Sequence, residues 1–93
     1  VVAAAVRVLP LMRHVEPGEL ASRYGRLLAR ENGSRRRDSR LAAALIDGAY
    51  TLYREWGVQD ALLVRSILDA RELDYSRETR RKAGAFVDAV LDG

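Results

Sequence analysis

A chain of 93 residues, 48% apolar and 31% charged with a net charge of +3, has the size and balance of one folded domain around a single core, not of a disordered or two-domain protein. With no cysteine it can carry neither a disulfide framework nor a thiolate metal site, which fits a reducing, cytoplasmic setting. Its longest nearly uncharged apolar runs, such as Leu41 to Ile46, fall far short of the roughly 20 residues that cross a bilayer, and the apolar start, Val1 to Val8, holds Arg7 and lacks the pattern of a signal peptide.

In chain order, Val2, Val6 and Leu9 recur at helical spacing, with Pro10 as a defect that kinks the helix or begins the next one. Glu16-Pro17-Gly18-Glu19 opens a second helix, Pro17 being suited to a first turn, and Leu20, Tyr24, Leu27 and Leu28 form its apolar stripe. Asn32-Gly33 is expected to end it through a left-handed residue. A polar, Arg-dense stretch from Ser34 to Arg40 leads into a long helix with Leu41, Leu45, Ala49, Leu52 and Trp56 on one face, closed by Gly57. Val58 to Ala70 reads as a shorter helix carrying Leu62, Leu63, Ile67 and Leu68, with Asp60 near its positive N-terminal end. In the last helix Ser76 caps the start, and Ala83, Phe86, Val87, Val90 and Leu91 repeat with helical period.

No polar-apolar alternation and no hairpin signal interrupts this series. The expected fold is therefore all-α: one domain over residues 1–93, a compact bundle of about five helices, with Leu45, Leu52, Trp56, Leu63, Ile67, Phe86 and Val90 at its center. Tyr24, Tyr50 and Tyr53 lie on or beside apolar stripes and read as core.

Chemistry is constrained by what the chain lacks. His14 is the single histidine, so Ser-His, Cys-His and multi-histidine metal arrangements cannot be assembled, and no glycine-rich phosphate loop occurs. Asp69 with Glu72 or Asp74 is the remaining acid pair, and Arg65, Arg71 and Arg77 stand close enough to occupy those acids in exposed ion pairs. The expectation is a binding protein, not an enzyme, with no cofactor and no metal.

The basic signal is the arginine distribution. Arg23, Arg26, Arg30, Arg35, Arg36, Arg37 and Arg40 fall between residues 23 and 40 against only Glu31 and Asp38, a local excess of five positive charges. Arg23, Arg26 and Arg30, spaced three and four apart, share one helix face that leads directly into the Arg35-Arg36-Arg37 loop. Guanidinium forks match phosphate, so this surface suits a polyanion. An arginine-decorated solvated face is the bland alternative, and no aromatic platform for base stacking interleaves the cluster, since Tyr24, the one aromatic within it, reads as core. A second cluster, Arg77, Arg80, Arg81 and Lys82, is diluted by Asp74 and Glu78. Glu19-Leu20-Ala21-Ser22-Arg23-Tyr24-Gly25 looks like the first helix of a helix-turn-helix, although Leu27-Leu28-Ala29 continues the same helix where a turn should follow.

The run Arg36-Arg37-Asp38-Ser39-Arg40-Leu41-Ala42-Ala43-Ala44-Leu45-Ile46-Asp47-Gly48 is similar to the start of the central helix in NusB-like domains. Gln59-Asp60-Ala61-Leu62-Leu63 and Phe86-Val87-Asp88-Ala89-Val90-Leu91-Asp92 resemble a later helix start and the final helix of that family, and Ala4 to Leu9 matches its first helix. Asp88 stands where the family prefers asparagine, and the sequence shows no Arg-rich extension ahead of the first helix. The resemblance implies an all-helical RNA- and protein-binding module of the kind found as a transcription antitermination factor and at the front of RNA cytosine methyltransferases. The expected partner is accordingly RNA, bound through Arg35, Arg36, Arg37 and Arg40 with Arg23, Arg26 and Arg30 as flanking phosphate contacts. Two alternatives stay open: a protein-interaction module, death-fold-like or subunit-docking, whose basic face meets an acidic partner and which self-associates; and a DNA-binding regulator using the Glu19 to Gly25 helix.

Overall fold

The computed structural model describes residues 16–92, and these form four helices: α1 (Pro17–Asn32), α2 (Ser39–Trp56), α3 (Ala61–Glu72) and α4 (Arg77–Asp92). The all-α architecture is as expected. The additional helix expected over Val2 to Leu9, which brought the count to about five, and His14 lie outside the described residues.

Each helix begins where its sequence supplies a start. Pro17 sits in the first turn of α1, with Glu19 near the positive end. The Asp38 carboxylate caps α2, accepting from the backbone N–H of Arg40 (2.9 Å) and Leu41 (3.3 Å). Asp60 accepts from Leu63 N–H at 3.0 Å, so α3 starts at Ala61 and not at Val58 as the apolar pattern predicts. Val58 is instead part of the closure of α2, its N–H reaching back to the Leu52 carbonyl while Gly57 turns left-handed at φ 65°. Ser76 Oγ accepts from Thr79 N–H (3.2 Å) and starts α4, in line with the sequence.

The end of α1 differs from expectation. Gly33 keeps a right-handed conformation at φ −83°, its N–H shared between the Ala29 and Arg30 carbonyls, while Ser34 N–H bonds to Glu31. Arg37 Nε then donates to the Asn32 carbonyl at 2.9 Å. With the last carbonyls already satisfied, no left-handed reversal is required.

Partner residues give the helix directions. Asp38 N–H meets the Glu31 carboxylate beside the first turn, and Gly48 lies against Tyr24 farther along, so α1 and α2 are antiparallel. Ser39 meets Thr79, Asp47 meets Lys82, and Tyr53 meets Phe86 and Ala89, so α2 and α4 run side by side in the same direction. α3 packs between α1 and α4, touches α2 only slightly, and α1 does not contact α4. Successive helices α2 and α3 are thus diagonal across the bundle, joined by the short segment 57–60.

Phe86, Leu28, Ile46, Leu63 and Ile67 are the largest fully buried apolar side chains, joined by Leu45, Leu52, Val87 and the alanines at 21, 42, 49, 70 and 83. Of the expected center, Val90 is half-buried and Trp56 is not core at all: it is 56% exposed. Leu41, at the other end of the same stripe, is 43% exposed. α2 is the longest helix, and its stripe is buried along the middle, from Ala42 to Leu52, and exposed at Leu41 and Trp56. Tyr24, Tyr50 and Tyr53 pack against the core while remaining partly accessible. Among the described residues no helix is long and apolar enough to cross a membrane.

A polar seam crosses this core. Asn32, buried at the end of α1, donates from its amide to the Ser66 carbonyl (2.9 Å) and accepts from the Tyr75 hydroxyl (2.7 Å), while Ser66 Oγ donates to the Gly25 carbonyl (3.4 Å). Thr79, also buried, donates to the Ser39 carbonyl at 3.1 Å. Among the described residues every buried polar side-chain atom has a partner, as a stable core requires.

Candidate nucleic-acid interface

Helix periodicity, not chance, gathers the arginines of α1. Ala21, Gly25, Leu28 and Asn32 face inward, which turns Arg23, Arg26 and Arg30 to the opposite, solvated face. There the three arginines and Leu27 line one open hollow of about 260 Å³. Leu27, read from the sequence as part of the buried stripe, is 45% exposed and supplies an apolar patch between guanidinium groups. Arg23 forms an ion pair with Glu19 at 3.2 Å, and Arg26 lies 3.4 Å from Ser22 Oγ. With both partners about half exposed, the Arg23–Glu19 pair holds Arg23 only weakly.

The arginines after α1 divide into two kinds. Arg35, Arg36 and Arg40 are exposed, and none has a carboxylate at salt-bridge distance among the described residues. Arg37 is different: half-buried, it closes the end of α1 through the Asn32 carbonyl. It therefore holds the loop in place, while its neighbors project from it. Glu31 contributes by accepting the Asp38 N–H at 2.6 Å, and Ser34 Oγ accepts the Arg36 N–H at 3.2 Å.

Other features lack this convergence. A larger hollow of about 440 Å³ is lined by Asp47, Tyr50, Thr51, Arg54 and Glu55, but its charges are of both signs and Arg54 lies 5.7 Å from the center of the Tyr50 ring. Asp69, Glu72 and Asp74 are exposed, yet the ion pairs expected with Arg65, Arg71 and Arg77 are not formed; long exposed side chains gain little by pairing over hydration. No group of three or more His, Cys, Asp or Glu among the described residues is placed to hold a metal ion. α1 runs unbroken through Gly25, so the Glu19 to Gly25 segment is not followed by the turn that a helix-turn-helix needs.

Comparison with family models, with curated proteins and with solved structures returned no match.

Proposed function

We propose that this chain is a non-enzymatic RNA-binding module that holds the phosphate backbone through the outer face of α1 and the turn after it. The observation that carries the reading is the convergence of Arg23, Arg26 and Arg30 on one open hollow at the approach to exposed Arg35, Arg36 and Arg40, with a single weak ion pair among the six. Cations left without carboxylate partners are available to displace the counterions of a polyanion. The resemblance of the α2 start and of α4 to NusB-like domains favors RNA over DNA, and the missing second helix of a helix-turn-helix removes support for major-groove reading. Without an aromatic platform beside the arginines, contacts are to phosphate more than to bases.

The test is fluorescence anisotropy with a mixed-sequence single-stranded RNA and a DNA duplex between about 50 and 200 mM salt, the range over which phosphate contacts are exposed. RNA affinity is expected to fall steeply with salt. Replacing Arg23, Arg26 and Arg30 by Gln should lower the slope of log K against log salt by about 2, at roughly 0.7 per phosphate contact on a single strand. Absence of RNA binding overturns the proposal and favors a protein-interaction module, for which Leu27, exposed among arginines, would suit an acidic amphipathic partner.

A further inference from the structure

The second arginine cluster, more than thirty residues beyond the first, is brought beside it by the parallel pairing of α2 and α4. Ser39 Oγ accepts the Ser76 N–H at 3.2 Å, and the Ser39 carbonyl accepts the Thr79 hydroxyl at 3.1 Å. Arg40 follows Ser39, Arg77 follows Ser76 and Arg80 follows Thr79, so three exposed arginines stand in the first turns of two adjacent helices, at the end of the bundle that also holds the 33–38 turn.

The acids that dilute these clusters in the sequence are largely engaged. Glu78 takes both bonds of a fork from Arg81, at 2.6 and 3.1 Å. The Arg81 guanidinium holds the Glu78 carboxyl below its ordinary range. Asp38 is occupied with the start of α2 and Glu31 with the Asp38 N–H. Neither Arg77 nor Arg80 has a carboxylate at salt-bridge distance among the described residues, and exposed Asp74 is the nearby acid without a partner there. Because Asp38 and Ser76 already cap the two helices, the positive character of this end comes from side chains and not from free backbone N–H groups.

We infer that the RNA path continues past Arg40 onto the first turn of α4, making Arg77 and Arg80 phosphate-binding residues of the same site. The inference rests on the RNA reading above and extends it: the site is a band that runs along α1, around the 33–38 turn and across the starts of α2 and α4. A band of arginines without stacking aromatics grips a backbone with little regard to base identity. Its length also means that a long strand meets more of it than a short one.

The experiment compares three forms of the full chain on one mixed-sequence single-stranded RNA by anisotropy across the same salt range: the unsubstituted protein, Arg77→Gln with Arg80→Gln, and Arg54→Gln with Arg65→Gln. The last pair removes the same charge from positions outside the band, so it reports the effect of net charge alone. Loss of two phosphate contacts should reduce the salt slope of the Arg77/Arg80 variant by about 1.4, at roughly 0.7 per contact, and leave the Arg54/Arg65 variant close to the unsubstituted protein. Equal slopes for all three, with RNA still bound, overturn the extension and leave the α1 face as the whole site. No binding by the unsubstituted protein overturns both readings. Unchanged circular dichroism in each variant is expected, since all four side chains are exposed.

Discussion

Gly25 and Gly48 set how closely α1 approaches its neighbors. A Cβ at Gly25 would lie 2.8 Å from the Leu63 backbone nitrogen, and one at Gly48 2.7 Å from the Tyr24 ring. A ring can swing aside, whereas a helix backbone cannot yield without moving α3. Gly25→Ala should therefore destabilise by about 1–3 kcal/mol through overpacking, despite the roughly 1 kcal/mol that alanine ordinarily gains over glycine inside a helix. Gly84, with nothing near its Cβ position, provides the contrast: Gly84→Ala should stabilise by about 0.5–1 kcal/mol. Urea unfolding of both variants checks the pair. Tyr75 gives a second test at this scale. Burial, reinforced by the Glu31 carboxylate, raises its hydroxyl above the ordinary 10.0. The folded state keeps this proton while the unfolded state loses it, so stability is present in full below pH 10.0 and falls as pH rises above that value. Tyr75→Phe should flatten the alkaline loss and cost about 1–3 kcal/mol at neutral pH, because the Asn32 oxygen is left buried without its donor.

At the scale of the element, helix ends decide which arginines are free to bind. Arg37→Ala should lower stability by about 1 kcal/mol through loss of its bond to the Asn32 carbonyl, while Arg35→Ala and Arg36→Ala stay within about 0.5 kcal/mol; thermal melts of the three single variants separate them. A triple Arg35–Arg37 alanine variant would mix loop disorder with lost contacts, so binding is better probed with Arg35 and Arg36 alone. Helix identity was legible in the sequence because Pro17, Gly57, Asp60 and Ser76 are local signals whose meaning does not depend on distant residues. The end of α1 was less legible: Asn32 reads as a stop signal, but its amide is used across the bundle by Ser66 and Tyr75, partners more than thirty residues away. Trp56 was misplaced for a related reason. Periodicity identifies the inward side of α2 but not how much of it the neighboring helices cover, and the tryptophan is left 56% exposed.

At the scale of the whole molecule, the α1 face of the candidate site could be read from the spacing of Arg23, Arg26 and Arg30, since one helix suffices to align them. The link from Arg40 to Arg77 and Arg80 could not. It depends on α2 and α4 lying in parallel, a fact carried by Ser39 and Thr79, which no pattern of charge or hydropathy distinguishes from other hydroxyl residues. Exposed Leu27 was likewise hidden, because it adjoins buried Leu28 and only the orientation of α1 separates them.

That same parallel pairing shapes how the chain reaches its native state. A bundle wound from neighboring hairpins gathers most of its contacts locally, but here α1 rests on α3 and α2 on α4, each skipping one helix in sequence. Ser39 and Thr79 must find each other across a loop that includes all of α3. Closing such loops consumes chain entropy before burial rewards it, so folding should be slower than in a sequentially wound four-helix protein of equal length. Until α4 has emerged, a nascent chain would hold the rest of the core without Phe86, Val87 and Ala83, which ties the closure of that core to the arrival of this helix.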